Sequence, residues 1–193
     1  MKFVIGRTLT ILSWDNPVTA FFRKSRKLRH SLRRPSRSDF VQFEVDGETI
    51  MEYDLFRSKV QQIKDKKPIL FALETDTPPS IDEIEDFEKI YRILLPEKYK
   101  LFISEFGGGY FGYANIYSLD NNSIYFIMKH KSFVPNGYLP IADNGCGDFY
   151  VVKYNGEYCF DKIYYYTHDS QEITETAYHD ILEFLLDVGL EAL

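Results

Sequence analysis

The chain has 193 residues, a formal net charge of −6, and 45% hydrophobic and 17% aromatic residues, values typical of a globular protein. This length provides one substantial domain with a short appendage and is too short for two large hydrophobic cores. No apolar run approaches the roughly 20 residues of a membrane span, and no signal-peptide cleavage site is recognisable, so we expect a soluble, cytoplasmic protein without a membrane span.

Two cysteines, Cys146 and Cys159, are too few for a disulfide framework in a chain of this length. A two-residue hairpin turn at Asn155-Gly156 would place Val152 opposite Cys159 and leave Cys146 out of bonding reach. We therefore expect two free thiols. The histidines are scattered and no Cys or His pair has a metal-site spacing, so neither a metal nor a cofactor is expected.

Charge is distributed unevenly along the chain. Residues 1–80 hold 15 Lys/Arg and 10 Asp/Glu, a net of +5, whereas residues 81–193 hold 8 and 19, a net of −11. Residues 23–37 contain nine basic residues, counting His30, and no acidic one. This segment could bind phosphate, an acidic partner or an anionic membrane, or it could be a solvated leader that packs on the acidic body. Without a zinc pattern or an aromatic stacking platform, no direct nucleic-acid partner is expected.

The first part of the chain predicts short strands and one helix. Alternating runs at 2–5, 8–11 and 40–45 predict strands, the last pairing with residues 50–53 through an Asp46-Gly47 turn. We assign residues 1–50 to a basic N-terminal extension and residues 51–193 to the main domain. A helix follows, with apolar positions Leu55, Phe56, Val60 and Ile63, and it ends before Pro68. Residues 69–73 then predict a strand, followed by a loop at 74–79.

Two helices in tandem are predicted next. Ser80-Ile81-Asp82-Glu83 has the pattern of a capping box, and apolar residues recur after it at helical spacing: Ile81, Ile84, Phe87, Ile90 and Tyr91. Leu94-Leu95-Pro96 forms the corner. Pro96 suits the first position of the second helix, whose apolar face comprises Tyr99, Phe102, Ile103 and Phe106.

The glycine triplet Gly107, Gly108 and Gly109 predicts a helix C-cap and a sharp reversal. A phosphate-binding loop is the alternative, but such loops precede a helix N-terminus and this triplet follows a C-terminus. Strands are then predicted at 110–119, 123–129, 138–142, 149–154 and 157–166, joined by short turns as in an antiparallel meander.

A last helix is predicted over 174–188, with an apolar face that comprises Ala177, Ile181, Phe184, Leu185 and Val188. These elements predict a single α+β domain. In it, two tandem N-terminal helices and a C-terminal helix pack on an antiparallel-rich sheet.

The order of several motifs is familiar. Pro79-Ser80 opens a helix rich in Ile and Glu, and Leu95-Pro-Glu-Lys-Tyr-Lys-Leu-Phe precedes the glycine cluster. Leu139-Pro-Ile-Ala-Asp-Asn-Gly-Cys-Gly-Asp and the C-terminal Ile181-Leu-Glu-Phe-Leu follow. In this order the motifs resemble the SUKH superfamily, the Smi/Knr-type cell-wall-assembly regulators and their bacterial relatives, over roughly residues 51 to 190.

The resemblance implies an α+β protein-binding domain and, in bacterial members, usually an immunity protein that neutralises a secreted toxin, often a nuclease. It also implies a structural role for the turn residues Pro96, Gly107, Gly108, Gly109, Gly145 and Gly147. Gly107 stands where the family usually has Asn, and Cys146 where Gly is common; both are compatible with turns.

Our first hypothesis is a non-catalytic immunity protein, expected to be a monomer, that binds a cognate basic toxin domain. Nuclease clefts are positive, so an acidic, tyrosine-rich surface complements them. The candidate partner-binding residues are Glu105, Tyr110, Tyr113, Asp120, Asp143, Asn144, Asp148 and Tyr150. Each of them could instead be an ordinary solvated carboxylate or a sheet-filling ring.

Two other function classes are open. Asp143, Cys146 and Asp148 share a glycine-rich loop that could hold a nucleophile or a hard cation. However, a turn with Asx-type hydrogen bonds explains the same residues, and no nearby histidine would activate the thiol, so an enzyme is not expected. The other class is an intracellular regulatory or scaffold protein of the cell-wall synthesis type, whose basic leader docks on an acidic partner or a membrane.

Overall fold

A computed structural model of the protein describes residues 47–191, so the strands predicted before residue 47 and the basic segment 23–37 lie outside the described residues. Within this range, five helices accompany a six-stranded antiparallel sheet. The α+β fold predicted from the sequence is confirmed. None of the helices in this part of the chain combines the length and the apolarity that crossing a membrane requires.

Helix α1 spans Gly47–Lys66, so the strand predicted at 50–53 is wrong. Tyr53, Phe56 and Val60 are buried, and their i, i+3, i+7 spacing places them on one helical face. This face includes Tyr53, which precedes Leu55, the first apolar position of the predicted helix. The helix ends before Pro68, as predicted. The strand predicted at 69–73 is also wrong: Pro68–Phe71 forms a 3₁₀ turn in which the N–H of Leu70 donates to the carbonyl of Lys67.

Helix α2 spans Ile81–Tyr91 and begins with the predicted capping box. The N–H of Glu83 donates to Ser80 Oγ at 3.3 Å, and the N–H of Ser80 donates to Glu83 Oε2 at 2.7 Å. Ile84 and Phe87 are buried, but Ile90, predicted on the same apolar face, is 71% exposed.

Helix α3 spans Glu97–Phe106, and Pro96 is its N-cap, one position earlier than predicted. Gly107 ends the helix with φ = +73°, and its N–H donates to the carbonyl of Ile103 at 2.9 Å. A Cβ at Gly107 would lie 2.1 Å from the carbonyl oxygen of Asp76. Glycine is therefore required there both by the positive φ, which is combined with ψ = −164°, and by a close backbone approach.

The sheet has its strands in sequence order, each antiparallel to the next. Their bounds are β1 Gly109–Phe111, β2 Ala114–Ile116, β3 Tyr138–Asp143, β4 Phe149–Tyr154, β5 Cys159–Thr167 and β6 Glu172–Glu175. The meander from β3 to β5 matches the prediction. The single strand predicted at 110–119 is two strands, because Gly112 turns the chain with φ = +61°.

Residues 123–129 do not form the predicted strand. A turn leads instead into helix α4, Ile127–His130, which a 3₁₀ turn at Lys131–Phe133 continues. Phe126 and Ile127 are adjacent and both buried, whereas a strand would point them to opposite faces. The tertiary burial of two neighbouring side chains therefore outweighs the alternating pattern.

The last helix begins later than predicted. Residues 172–175 pair with β5 as β6, and Asp180 caps helix α5, Ile181–Phe184, by accepting hydrogen bonds from the N–H groups of Leu182 and Glu183. A π turn at Leu185–Gly189 extends α5. Ile181, Phe184 and Leu185 are buried as predicted, whereas Ala177 is exposed before the helix.

The turn between β4 and β5 corrects the predicted register. Tyr154, and not Val152, lies opposite Cys159, because the loop has four residues, 155–158, and a register shift separates Val152 from Tyr154. Asn155 Oδ1 accepts hydrogen bonds from the N–H groups of Glu157 and Tyr158 and holds this wider loop. Both cysteines are free, as predicted, with Cys146 exposed and Cys159 buried.

Candidate functional site

The loop from Asp143 to Asp148, which joins β3 to β4, contains three of the predicted partner-binding residues. Asp143 Oδ2 accepts hydrogen bonds from Asn115 Nδ2 at 2.9 Å and from the hydroxyl of Tyr117 at 2.8 Å. Its Oδ1 accepts from the N–H of Gly145 at 2.8 Å, which is an Asx turn. Burial and the Asp143 carboxylate raise the pKa of Tyr117, so this phenol stays a neutral donor.

The other end of the loop is held in the same manner. Asn144 Oδ1 accepts from the N–H groups of Cys146 and Asp148, at 2.8 and 3.1 Å. Asp148 Oδ1 accepts from the N–H of His168 at 2.9 Å, and its Oδ2 accepts from the hydroxyl of Tyr165 at 2.7 Å. These two hydrogen bonds, that from His168 first, lower the pKa of Asp148. Partial burial and the bonded carboxylate raise the pKa of Tyr165 to about 12.

The loop carboxylates therefore act as acceptors that stabilise the loop itself. Asp143 and Asp148 are each bonded by side chains of the sheet and by backbone N–H groups, and Cys146 is exposed between them. Within residues 47–191, no group of three or more His, Cys, Asp or Glu side chains is arranged to hold a metal ion.

An aromatic groove of about 400 Å³, the His130 groove, lies beside this loop. The imidazole of His130 stacks on Tyr117 with ring centroids 4.0 Å apart, and Phe133 stacks on Phe149 at 6.3 Å. The sequence did not indicate this groove. His130 is the last residue of α4 and Phe133 lies in the 3₁₀ turn after it, whereas the sequence predicts a strand at 123–129.

Two predicted residues are engaged inside the domain. Glu105, at the end of α3, accepts hydrogen bonds from Arg57 Nε at 2.9 Å and from the hydroxyl of Tyr53 at 3.0 Å, both on α1. The half-buried ring of Tyr150 packs on Phe184 of α5, with centroids 4.4 Å apart. Glu105 therefore connects α3 to α1, and Tyr150 connects strand β4 to α5.

Three predicted residues are exposed at separate places. Tyr110 on β1 and Tyr113 in the β1–β2 turn are 41% and 59% exposed, and Tyr110 makes an edge contact with Tyr125. Asp120 lies in the loop after β2, where its Oδ1 accepts a hydrogen bond from the N–H of Asn122 at 2.9 Å. The structure thus brings together Asp143, Asn144 and Asp148 and leaves the rest of the predicted set dispersed.

A second groove, of about 420 Å³, lies between α2 and the loop after β2, and we call it the acidic groove. Phe87, Tyr91 and Phe126 pack together at its base, with ring centroids 4.7 to 6.3 Å apart. The exposed Ile90 adds apolar surface. Three carboxylates line the groove, those of Glu83, Asp86 and Asp120, and no Lys, Arg or His is among the described residues that line it.

Of these groove residues, only Asp120 belongs to the predicted set. The others fall in separately predicted elements: the loop at 74–79, the helix that begins at Ser80, the strands at 110–119 and 123–129, and the turn between those strands. Nothing in the sequence pairs these elements across the groove. The one local sequence signal for the groove is the acidity of α2. This helix has a single basic residue, Lys89, and five acidic ones: Asp82, Glu83, Glu85, Asp86 and Glu88.

Comparison with known proteins identifies the family. The sequence model of the family SUKH_6, described as SMI1-KNR4 cell-wall, matches residues 81–185, which is more than half of the chain. This range contains the loop between β3 and β4, every residue that lines the His130 groove, and all those that line the acidic groove except Thr77, Pro78 and Pro79. No curated protein matches the chain. The chain belongs to the SMI1-KNR4 family of the SUKH superfamily.

Proposed function

We propose that the protein is a non-catalytic, cytoplasmic protein-binding module that acts as an immunity protein and neutralises a cognate bacterial toxin of the nuclease type. The observation that carries the proposal is the acidic groove. There, three carboxylates line a groove with exposed apolar surface, and its described lining residues include no Lys, Arg or His; Lys89 on α2, which is outside this lining, lies 3.5 Å from Asp86 Oδ1. Such a surface suits a cationic protein partner better than it suits a substrate anion.

The charge of the family region supports a basic partner. Residues 81–193 carry a net charge of −11, and nuclease domains need positive clefts to hold phosphate. Opposite charges on two proteins steer their encounter and raise the association rate. An inhibitor that must act before its toxin damages the cell benefits from that speed.

Exposed aromatic and aliphatic side chains supply the anchors that such an interface needs. Tyr110 and Tyr113 project from the first hairpin, and Ile90 projects from α2. Aromatic side chains contribute large contact areas at low entropic cost, and they are enriched among the residues that dominate binding energy. Carboxylates near them provide selectivity for cations.

The loop between β3 and β4 supports the non-catalytic part of the proposal. The oxygens of Asp143 and Asp148 hold the loop through hydrogen bonds, and the lowered pKa of Asp148 makes it a poor proton donor near neutral pH. A turnover that disappears in Cys146→Ser would contradict this part.

Isothermal titration with the purified toxin domain encoded beside this gene tests the proposal. We expect a one-to-one complex with a dissociation constant in the picomolar to nanomolar range, and loss of nuclease activity at equimolar protein. A catalytically inactive toxin variant should bind equally well, because no chemistry is involved. Absence of binding heat at several temperatures would contradict the proposal.

A regulatory or scaffold role of the cell-wall type is the second candidate, and the basic segment 23–37 is the observation that favours it. Salt-sensitive binding of the full chain to vesicles with anionic lipids, abolished by substituting the basic residues with Gln, would support this role. Binding restricted to the toxin would support the immunity role instead.

A further inference from the structure

We propose that the acidic groove is the docking site for an arginine-containing segment of the partner, with an aliphatic side chain next to the arginine. The inference deepens the proposed function and rests on it for the nature of the partner, a cationic protein. It places the contact between α2 and the loop after β2, and it identifies the bound group as a guanidinium held by carboxylates.

The apolar residues at the base of the groove are the reason why we expect an aliphatic side chain next to the arginine of the partner. Phe87 and Phe126 are buried and pack edge to face, while Ile90 is 71% exposed beside them. An aliphatic side chain laid against Ile90 would remove apolar surface of both partners from water, at roughly 25 cal/mol per Å². Ile90 contributes little to the domain core, so its side chain is available for contact with a partner.

The carboxylates of the groove are the reason why we expect the bound segment of the partner to be positively charged. Hydrogen bonds from Ser80 lower the pKa of Glu83, whereas burial and the negative charge of Asp120 oppose that shift. Both carboxylates belong to the lining of the groove, Glu83 on α2 and Asp120 in the loop after β2. Asp120 receives the N–H and the side-chain amide of Asn122 on Oδ1, and no described residue hydrogen-bonds to its Oδ2. A cation bound between these carboxylates would relieve their repulsion.

Arginine fits this site better than lysine. Its planar guanidinium can stack on the ring of Tyr91 and still donate two hydrogen bonds to one carboxylate, whereas an ammonium presents a compact charge that is more strongly hydrated. The groove offers both an aromatic ring and carboxylates within one set of lining residues.

The His130 groove is a weaker candidate for a cation. Asp143, its one carboxylate, is already bonded by Asn115, by Tyr117 and by the N–H of Gly145. Two histidines line it, and either would repel a cation when protonated.

The variant that tests the site is Asp86→Lys with Asp120→Asn. Asp86 is exposed on α2, and Asn at position 120 can still accept the hydrogen bond from Asn122, so the loop is retained. The control is Asp169→Lys with Glu172→Gln, at the β5–β6 turn, which changes the net charge by the same amount. A second pair compares Ile90→Ser with Leu55→Ser, since both side chains are exposed on helices and neither change alters the charge; only Ile90→Ser should weaken binding.

The first measurement is an NMR titration of the full isotope-labelled chain with the blocked peptide Gly-Arg-Leu-Arg-Leu-Gly. We expect shifts in α2 and in the loop after β2 that disappear in the groove variant and persist in the control. The peptide with Lys for Arg should bind several-fold more weakly, and that with Glu should not bind. Shifts confined to the His130 groove, or lost equally in the control, would overturn the proposal.

The second measurement uses the toxin domain itself. The groove variant should weaken toxin binding by about 100-fold or more and the charge-matched control by less than about 3-fold. Unchanged toxin binding by the groove variant would overturn this inference and leave the immunity role intact. Peptide shifts in the groove without any toxin binding by the native protein would overturn the immunity role alone.

Discussion

Glu88, in the last turn of α2, accepts a hydrogen bond from the backbone N–H of Leu95 at 2.7 Å through its side-chain Oε1. The Nζ of Lys100, on α3, lies 3.4 Å from the same oxygen and 2.8 Å from Glu97 Oε1. Glu88 and Lys100 are each only 4% exposed. One buried carboxylate therefore fixes the corner between the two tandem helices, and with it the helix that carries the acidic groove.

Replacing Glu88 by Ala should lower the free energy of unfolding by about 2 to 4 kcal/mol, because it leaves the Leu95 N–H unsatisfied and removes one buried partner of Lys100. Glu88→Gln retains an acceptor and should cost less. Urea unfolding of the full chain measures both. The control is Glu85→Ala, which removes an exposed ion pair with Lys89 and should change stability by less than about 1 kcal/mol. Equal losses for Glu88→Ala and Glu85→Ala would contradict the role given to Glu88.

Gly107 and Gly145 have nearly the same φ, +73° and +71°, but different surroundings. A Cβ at Gly107 would lie 2.1 Å from the Asp76 carbonyl oxygen, whereas one at Gly145 would meet nothing within 4 Å. Gly145→Ala should therefore cost only the backbone strain of about 1 to 2 kcal/mol. Gly107→Ala should cost at least about 3 kcal/mol, since backbone must move. Similar melting temperatures for the two variants would show that the close approach is not required.

The elements that the sequence predicted well are those with a local cause. The start of α2 follows from a capping box that closes within four residues, and the end of α3 follows from Gly107. Strands β3 and β4 are short, mostly apolar and largely buried, and turn residues bound them. In each case the short-range hydrogen bonds or the pattern agree with the tertiary fold, so the local signal is sufficient.

The errors lie where long-range packing decides. Residues 123–129 have an alternating pattern, but Phe126 packs on Phe87 of α2, and the chain turns to allow it. Residues 174–180 have helix-compatible composition, but 172–175 complete the sheet edge beside β5. The acidic groove joins α2 to a loop across the domain, so only Asp120 could be singled out from the sequence, as a carboxylate in a loop.

Asp180 links the C-terminal helix to α3, and its loss should be costly. Its Oδ1 accepts from the N–H groups of Leu182 and Glu183, and its Oδ2 accepts from Lys98 Nζ at 2.6 Å. Burial disfavours the charge on Lys98, but the hydrogen bonds to Asp180 and Glu52 raise its pKa above the ordinary value. Asp180→Ala should lower the free energy of unfolding by about 2 to 4 kcal/mol, because it removes a helix cap and a partly buried ion pair.

Asp180→Asn separates these two contributions. It retains the capping oxygen but replaces the oxygen that accepts from Lys98 with an NH₂ group, so it loses the charge and the hydrogen bond of the ion pair, and its cost should be about half that of Asp180→Ala. Guanidinium unfolding monitored by circular dichroism gives both values. If Asn proved as costly as Ala, the cap would contribute nothing and the ion pair would account for the whole effect.

The hydrogen bonds to Asp148 make part of the stability dependent on pH. Its pKa in the folded protein lies below the value of about 3.9 for a free aspartate, because the N–H of His168 and the hydroxyl of Tyr165 stabilise the carboxylate. As the pH falls below the unfolded value, the unfolded chain binds the proton more readily than the folded one, so stability decreases. This contribution is complete above about pH 5 and is lost as the pH falls through the folded pKa.

Asp148→Asn should therefore be less stable than the native protein at pH 7, and the difference should shrink steadily between about pH 5 and pH 3. Tyr165→Phe removes one of the donors that stabilise the carboxylate and should have an intermediate acid dependence. Urea unfolding at four pH values measures the three curves, and Asp169→Asn controls for the change in net charge. A difference that stays constant over this range would mean that the hydrogen bonds to Asp148 do not depend on its charge.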